Sequence, residues 1–384
     1  TGRHFLGTSK YMTQIPVRVI PANDVVGALL ALTDALAGKC AVFISPREVN
    51  GEKVSVVGLP EFVDSGTALI VESSGSTGTP KRISISADAL IASAEATEEY
   101  FGTKGQWLLT LPINYIAGIQ VLVRSILSDA PPIQMNTSVP FTPEAFSLSS
   151  TLLTSDAKFT SVVPTQLLRL QQLASQDAFM VKILQRFTAI LVGGQATSPE
   201  VLSFFRENNI NVVESYGMAE TSGGCVYNGE ALSGVEIKLT EDSRVAIKGA
   251  MLANDVANED GFLVTQDIGE FDSQGRLRIL GRSDRVLISG GLKMSLDQVE
   301  AVAASVPGVV EVGATAVSST EWGERVGIVY VGSPEVADYM AGAVFEQLGI
   351  AAKPIRVIRV DRLPRLSNGK TDLIALKQLF SEGI

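Results

Sequence analysis

Residues 187–215 run FTAILVGG (187–194), QAT, SPEVLSFFRENN (198–209) and INVVES (210–215). The first run is continuously apolar and rich in β-branched residues, the second spaces its apolar residues on a helical period, and the third returns to β-branched residues. Ser198 suits a helix N-cap and Pro199 the first helical position. The stretch therefore reads as strand, loop, helix, strand, with Gly193 and Gly194 at the carboxyl end of the first strand, facing a helix start. In open α/β sheets ligands bind at such strand ends.

From about Val42 to Leu280 the same alternation continues, which predicts sheets covered by helices. Residues 261–282 differ: GFLVT, GEFD, a turn at Ser273-Gln274-Gly275 and RLRILGR predict a meander of short strands. After Arg282 come a strand (RVLIS), Gly290-Gly291, and a helix opening with Ser295-x-x-Gln298 as a capping box. Two apolar strands (VVEVGATAV, RVGIVYV), a helix (PEVADYMAGAVFEQL) and a strand (PIRVIRV) follow, a βαββαβ order of ferredoxin-like type. The expected fold class is α/β: a large N-terminal α/β domain over residues 1–283, and a small, mobile C-terminal α+β domain over 284–384.

A chain of 384 residues exceeds the usual size of one hydrophobic core, so two units with a cleft between them are expected. Hydrophobic residues make up 46% and charged residues 19%, the balance of a globular protein. With 31 Lys plus Arg against 41 Asp plus Glu, the net charge of −10 argues against nucleic acid as a partner. The run from Val25 to Ile44 is interrupted by Asp34 and Lys39, so no membrane span is expected. Cys40 and Cys225 lie far apart without metal-ligand spacing, which fits a reduced, cytoplasmic protein better than a disulfide-built one. The chain opens on Thr1, and the residues up to Met12 read as a processed or added segment.

The stretch from Glu72 through Ser73, Ser74, Gly75, Ser76, Thr77, Gly78, Thr79 and Pro80 to Lys81 concentrates hydroxyls and two glycines ahead of one lysine. Glycines admit close backbone approach to an anion, hydroxyls donate to it, and a lysine compensates its charge. The spacing is not that of a Walker A loop, and composition alone also suits a polar surface turn.

This string resembles the signature loop of the adenylate-forming superfamily, which holds acyl-CoA synthetases, luciferases and peptide-synthetase adenylation domains. Matching motifs follow in order. Tyr216-Gly217-Met218-Ala219-Glu220-Thr221 resembles the tyrosine-glycine-x-threonine-glutamate motif, with Ala219 where threonine is common. Asp267 stands in the place of the ribose-binding aspartate, Gly281-Arg282-Ser283-Asp284 resembles the hinge motif, and Leu366-Ser367-Asn368-Gly369-Lys370 the catalytic-lysine motif. The resemblance runs from about Val71 to the chain end. It implies that Ser73 to Gly78, Lys81, Gly193, Gly194, Gln195, Tyr216, Gly217, Thr221, Asp267 and Arg282 hold ATP or AMP. It further implies Lys370, Glu220, Thr77 and Lys81 as catalytic residues, Glu220 as the Mg²⁺ ligand, Asp284 as the hinge, and Gly290 and Gly291 as the contact for coenzyme A.

The sequence departs from the superfamily at Tyr115, where many acyl-CoA synthetases have histidine, and its single histidine is His4. Histidine general-base chemistry and a Ser-His-Asp triad are thereby set aside. Only about seventy residues precede the phosphate loop. That shortened N-terminal region, LPINYIAGIQVLVRSI and SVVPTQLLRL resemble the short o-succinylbenzoyl-CoA synthetase group of actinobacterial menaquinone biosynthesis. The group implies an aromatic keto-diacid as the small-molecule substrate, coenzyme A as acceptor, and Tyr115, Gln120, Ser222 and Gly223 around the acid. Alternatives are a ligase for another acyl or aryl acid, or an enzyme loading a carrier protein; a homo-oligomer is also compatible. Arg124 reads equally as a charge partner for the acid or as a surface residue of an amphipathic helix.

Overall fold

A computed structural model of the chain describes residues 14–46, 56, 58–73, 81–365 and 371–381. The first sheet contains β1 (Gln14–Pro21), β2 (Ala41–Ser45), β3 (Phe62–Asp64), β4 (Leu69–Ser73) and β5 (Lys81–Ile85), in the spatial order β3-β1-β2-β4-β5. The second contains β6 (Gln106–Leu109), β7 (Ile133–Gln134), β8 (Lys158–Val162), β9 (Ala189–Gly193), β10 (Val212–Met218), β11 (Gly223–Tyr227) and β12 (Glu230–Ala231), ordered β12-β11-β10-β9-β8-β6-β7. Around these lie α1 (Val25–Leu36), α2 (Ala87–Phe101), α3 (Ile116–Leu127), α4 (Pro143–Ser150), α5 (Pro164–Ala174), α6 (Ala178–Leu184) and α7 (Pro199–Glu207).

The apolar character of β9 follows from its position. Ala189 and Leu191 face a core shared with α1, α2 and α3, whereas Ile190 and Val192 face a second core with α5, α6 and α7. Strands buried on both faces read as unbroken apolar runs, because successive side chains enter opposite cores. β9 runs parallel to β8 and β10, and α7 makes the crossover to β10. The Ser198 side chain accepts from the Val201 N–H and Pro199 opens α7, as the sequence predicts.

The third sheet is an antiparallel meander, β13 (Glu236–Leu239), β14 (Arg244–Lys248), β15 (Leu263–Phe271) and β16 (Leu277–Arg282). Beyond it come β17 (Val286–Ser289), β18 (Leu292–Ser295), α8 (Leu296–Ala304), β19 (Val309–Ser319), β20 (Gly323–Gly332), α9 (Val336–Leu348), β21 (Arg356–Arg359) and α10 (Leu373–Gln378). Their own core joins Leu287, Val299, Ile328, Met340 and Val344. The observed architecture is thus α/β with a further α+β unit. One local feature differs from the sequence reading: Leu292–Ser295 form a strand, not the approach to a helix. Gly290 and Gly291, at φ +56° and +84°, make the tight turn that folds β18 back on β17. Among the described residues no helix is long and apolar enough to cross a membrane.

Because β9 is filled on both faces, Ile190→Ala and Leu191→Ala should each cost about 2–5 kcal/mol. Urea unfolding measures both. A large loss at only one of them would mean that one face lacks a packed core.

Candidate active site

Val212–Ser215 pair in parallel register with Ile190–Gly193, so Tyr216, Gly217 and Met218 continue past the carboxyl end of β9. Gly194 and Gln195 are exposed there, with Gly194 at φ +88°. β10 then turns through a short helical turn at 219–221 into antiparallel β11. Gly217 sits at the register irregularity between these paired strands, and a Cβ on it would lie 2.0 Å from the Gly223 carbonyl oxygen. The buried Thr221 hydroxyl closes the turn, accepting from the Met218 N–H at 2.9 Å and donating to the Gly223 carbonyl at 2.7 Å.

Over this edge lies β15 with Asp267, only 7% exposed. The Tyr216 hydroxyl donates to Asp267 Oδ2 at 2.7 Å, and Arg282 Nη1 donates to Oδ1 at 3.2 Å. Burial, followed by the Asp267 charge, pushes the Tyr216 phenol far above its ordinary range, which keeps it a neutral donor. Asp267 and Arg282 face each other as cross-strand neighbours on β15 and β16. Thr265 was missed by the sequence reading. Its hydroxyl accepts from the Asp267 N–H at 3.0 Å and donates to the Val245 carbonyl, fixing the backbone beneath the carboxylate. A threonine two residues before the aspartate was the available signal.

Arg282 also forms a two-bond fork with Asp284, Nε to Oδ1 and Nη2 to Oδ2, both at 2.8 Å. That fork raises the Arg282 guanidinium and lowers the Asp284 carboxyl relative to their ordinary values. The expected ribose ligand and the expected hinge residue therefore share one arginine.

Ser73 and Lys81 are cross-strand neighbours at the mouth of the β4–β5 hairpin. The residues between them, including Ser74, Gly75, Ser76, Thr77 and Gly78, lie outside the described residues, as does Lys370. β5 packs against the 219–221 turn that carries Glu220. The Glu220 carbonyl accepts from the Ala253 N–H at 2.8 Å, and among the described residues its half-buried carboxylate receives no hydrogen bond. One such carboxylate, on a turn packed against β5, suits a hard cation that keeps other oxygen ligands. Gly290 and Gly291 lie at the exposed tip of the β17–β18 hairpin, the Gly290 N–H donating to the Trp322 carbonyl at 3.0 Å.

On the other side of the β10–β11 turn, Gln120 Nε2 donates to the Ser222 carbonyl at 2.7 Å, joined by the Ser93 hydroxyl at 3.1 Å. Ser222 donates through its hydroxyl to the Met251 carbonyl, and Gly223, at φ +113°, leaves space for Gln120. Gln120 and Ser222 are thus buried supports of the turn, and among the described residues Gln120 Oε1 has no partner. Tyr115 is half-buried at the N-cap of α3.

Arg124, one helical turn beyond Gln120, is buried and not on a surface. Its guanidinium carbon lies 4.9 Å from the Trp107 ring centroid, and Nη2 donates to Thr97 Oγ1 at 3.1 Å and Tyr227 Oη at 3.5 Å. Among the described residues Nε has no hydrogen-bond partner and no carboxylate forms a direct ion pair with this arginine, the nearby Glu98 carboxylate being paired with Lys104. Burial pulls its guanidinium below the ordinary value. A cavity of about 220 Å³ opens between α2 and β11, its wall including Ser93, Gly224, Cys225 and Met251. The Cys225 thiol there is pushed up to about 12 by burial, which removes it as a nucleophile at neutral pH.

The AMP-binding enzyme family model matches residues 36–267, and that of the AMP-binding enzyme C-terminal domain matches 298–370. The chain belongs to the AMP-binding enzyme family. It is 33% identical over 377 residues to a Mycobacterium tuberculosis protein named "Probable 2-succinylbenzoate–CoA ligase", covering 94% of this chain and 97% of the relative. Among solved structures, the o-succinylbenzoate CoA synthetase of Bacillus subtilis in complex with its acyl-adenylate intermediate superposes with a TM-score of 0.73 at 22% identity, covering 94% of this chain and 83% of that one. An Escherichia coli MenE variant with bound OSB-AMS gives 0.75 at 23% identity over 96% and 88%.

Gly217→Ala should destabilise the protein by roughly 2–3 kcal/mol, because the added methyl meets a main-chain carbonyl. Gly342→Ala, in α9 with open space at its Cβ, should be neutral or stabilising by up to about 1 kcal/mol. Chemical denaturation of both variants checks the contrast.

Proposed function

We propose that this chain is an ATP-dependent acid–thiol ligase converting o-succinylbenzoate to o-succinylbenzoyl-CoA in cytoplasmic menaquinone synthesis. The observation that carries the reading is the Tyr216–Asp267–Arg282 cluster at the carboxyl edge of β9 and β10, in a chain of the AMP-binding enzyme family. The Mycobacterium tuberculosis relative, similar along nearly its whole length, points to the acid and to the thiol.

In the first step the substrate carboxylate attacks the α-phosphorus. A carboxylate-oxygen-to-phosphorus bond forms, the bond to pyrophosphate breaks, and acyl-AMP results. The acid is already an anion at neutral pH, so no general base is required. Asp267 retains lone pairs for the ribose hydroxyls beyond those used by Tyr216 and Arg282. Lys81 and Lys370 neutralise the phosphates and the attacking carboxylate, a role of positioning and charge stabilisation. Glu220 would hold Mg²⁺, which supplies further charge neutralisation at the phosphates. In the second step the coenzyme A thiol adds to the acyl carbonyl and AMP leaves with the carboxylate oxygen. Rotation about Asp284 exchanges Lys370 for the Gly290-Gly291 turn between the steps.

The diacid carries a second negative charge, and Arg124 is a buried cation that forms no direct ion pair among the described residues, the nearby Glu98 carboxylate being paired with Lys104. A buried charge of that kind is costly unless balanced, so an anion arriving on the Gln120 side of α3 gains from it.

ATP–pyrophosphate exchange across a panel of acids, followed by coenzyme A addition, tests the assignment. Exchange with o-succinylbenzoate and its conversion to a thioester are expected. Silence with that acid and exchange with another would reject the substrate. Lys370→Ala should abolish exchange while retaining thioester formation from supplied acyl-adenylate; equal loss of both would contradict the rotation. Arg124→Met should raise KM for the diacid by about tenfold or more, with a much smaller change for an analogue lacking the ring carboxylate. An equal effect on both acids would assign Arg124 to the core alone.

A further inference from the structure

Arg282 ends β16 on one side of Asp284, and Asp297 stands in the first turn of α8 on the other side. The Arg282 N–H donates to Asp297 Oδ2 at 2.7 Å, so this bond spans the residue about which rotation is proposed. Gly281 permits the approach. It lies at φ +142°, and a Cβ there would come within 2.8 Å of Asp297 Oδ2 and 3.0 Å of Ser295 Oγ.

Asp297 is itself held firmly within the unit that follows the pivot. Arg285 Nη1 donates to Asp297 Oδ1 and to Glu300 Oε2, Nη2 donates to Glu300 Oε1 at 2.6 Å, and Nη2 also reaches the Ala314 carbonyl at 3.1 Å. Glu300 in turn accepts from the Ala314 N–H at 2.7 Å. One oxygen of Asp297 is therefore anchored through Arg285 to α8 and β19, leaving the other to grip the peptide of Arg282. The side chain of that same Arg282 is forked onto Asp284 and touches Asp267.

We propose that Asp297 is a positioning residue for the domain rotation, a catch that acts through the Arg282 main chain to favour the orientation seen here. This inference rests on the two-step reading above. Turning β16 against α8 about Asp284 pulls the Arg282 N–H away from Asp297, so the bond is present in one orientation and lost in the other. A charge-assisted bond made in one state only biases the equilibrium between them. It thereby sets how the enzyme divides its time between adenylation and thioester formation.

The test compares wild type, Asp297→Ala and Asp297→Asn in the two half-reactions: ATP–pyrophosphate exchange, and thioester formation from supplied acyl-adenylate and coenzyme A. The ratio of the two rates should shift by about fivefold or more in Asp297→Ala. Asn keeps an acceptor for Arg282 but loses the charge facing Arg285, and should fall between. Proportional loss of both half-reactions, or no change in their ratio, would overturn the proposal, since a merely structural defect lowers both together. Amide hydrogen exchange across residues 281–285 gives a readout independent of the acid. Protection of the Arg282 amide should fall about tenfold in Asp297→Ala, and unchanged protection would overturn the catch even if the enzyme proved to act on another substrate.

Discussion

The Asp267 carboxylate ties together parts of the molecule that the backbone alone would leave separate. Tyr216 comes from the parallel sheet, Arg282 from the meander, and both donate to the same buried group. A carboxylate this enclosed is stable only while its lone pairs are met. Its bonds therefore hold the meander over the carboxyl edge of β9 and β10, and they place Arg282, with Asp284 forked onto it, beside the same edge. Remove that group and the Tyr216 phenol and the Arg282 guanidinium lose their common anchor.

The site is also shaped by what surrounds it. β9 is filled on both faces, so it offers a ligand nothing but its end, where Gly193 and Gly194 leave the backbone bare. The β10–β11 turn makes the second boundary, and it requires glycine at 217 and a buried hydroxyl at 221. Behind it, Gln120 and Ser93 hold the Ser222 carbonyl, so the turn carrying Glu220 is fixed from within the core. Rigid supports of this kind are what positional catalysis requires.

Much of this was legible in the sequence where a local rule sufficed. The strand, cap and helix of residues 187–209 follow from an unbroken apolar run, Ser198 and Pro199. Tyr216, Asp267 and Arg282 were recognisable from the order of motifs, but their bonds depend on the β15–β16 register, which no local spacing specifies. Arg124 was ambiguous for the same reason: Thr97, Trp107 and Tyr227, which enclose it, come from three separate segments. The strand at Leu292–Ser295 escaped because four residues after a Gly-Gly turn carry too little periodicity to separate from a helix approach. Asp297 reads as an ordinary acidic residue of a helix start, and only the fold brings the Arg282 peptide to it.

Activation of the acid consists in bonding its own carboxylate to the α-phosphorus of ATP. That bond is tested most directly with o-succinylbenzoate carrying heavy oxygen at both positions of the succinyl carboxylate, turned over with ATP and coenzyme A, followed by mass analysis of the products. One labelled oxygen is expected in AMP and the other in the thioester carbonyl. Label in inorganic phosphate accompanied by ADP, or AMP without label, would contradict it.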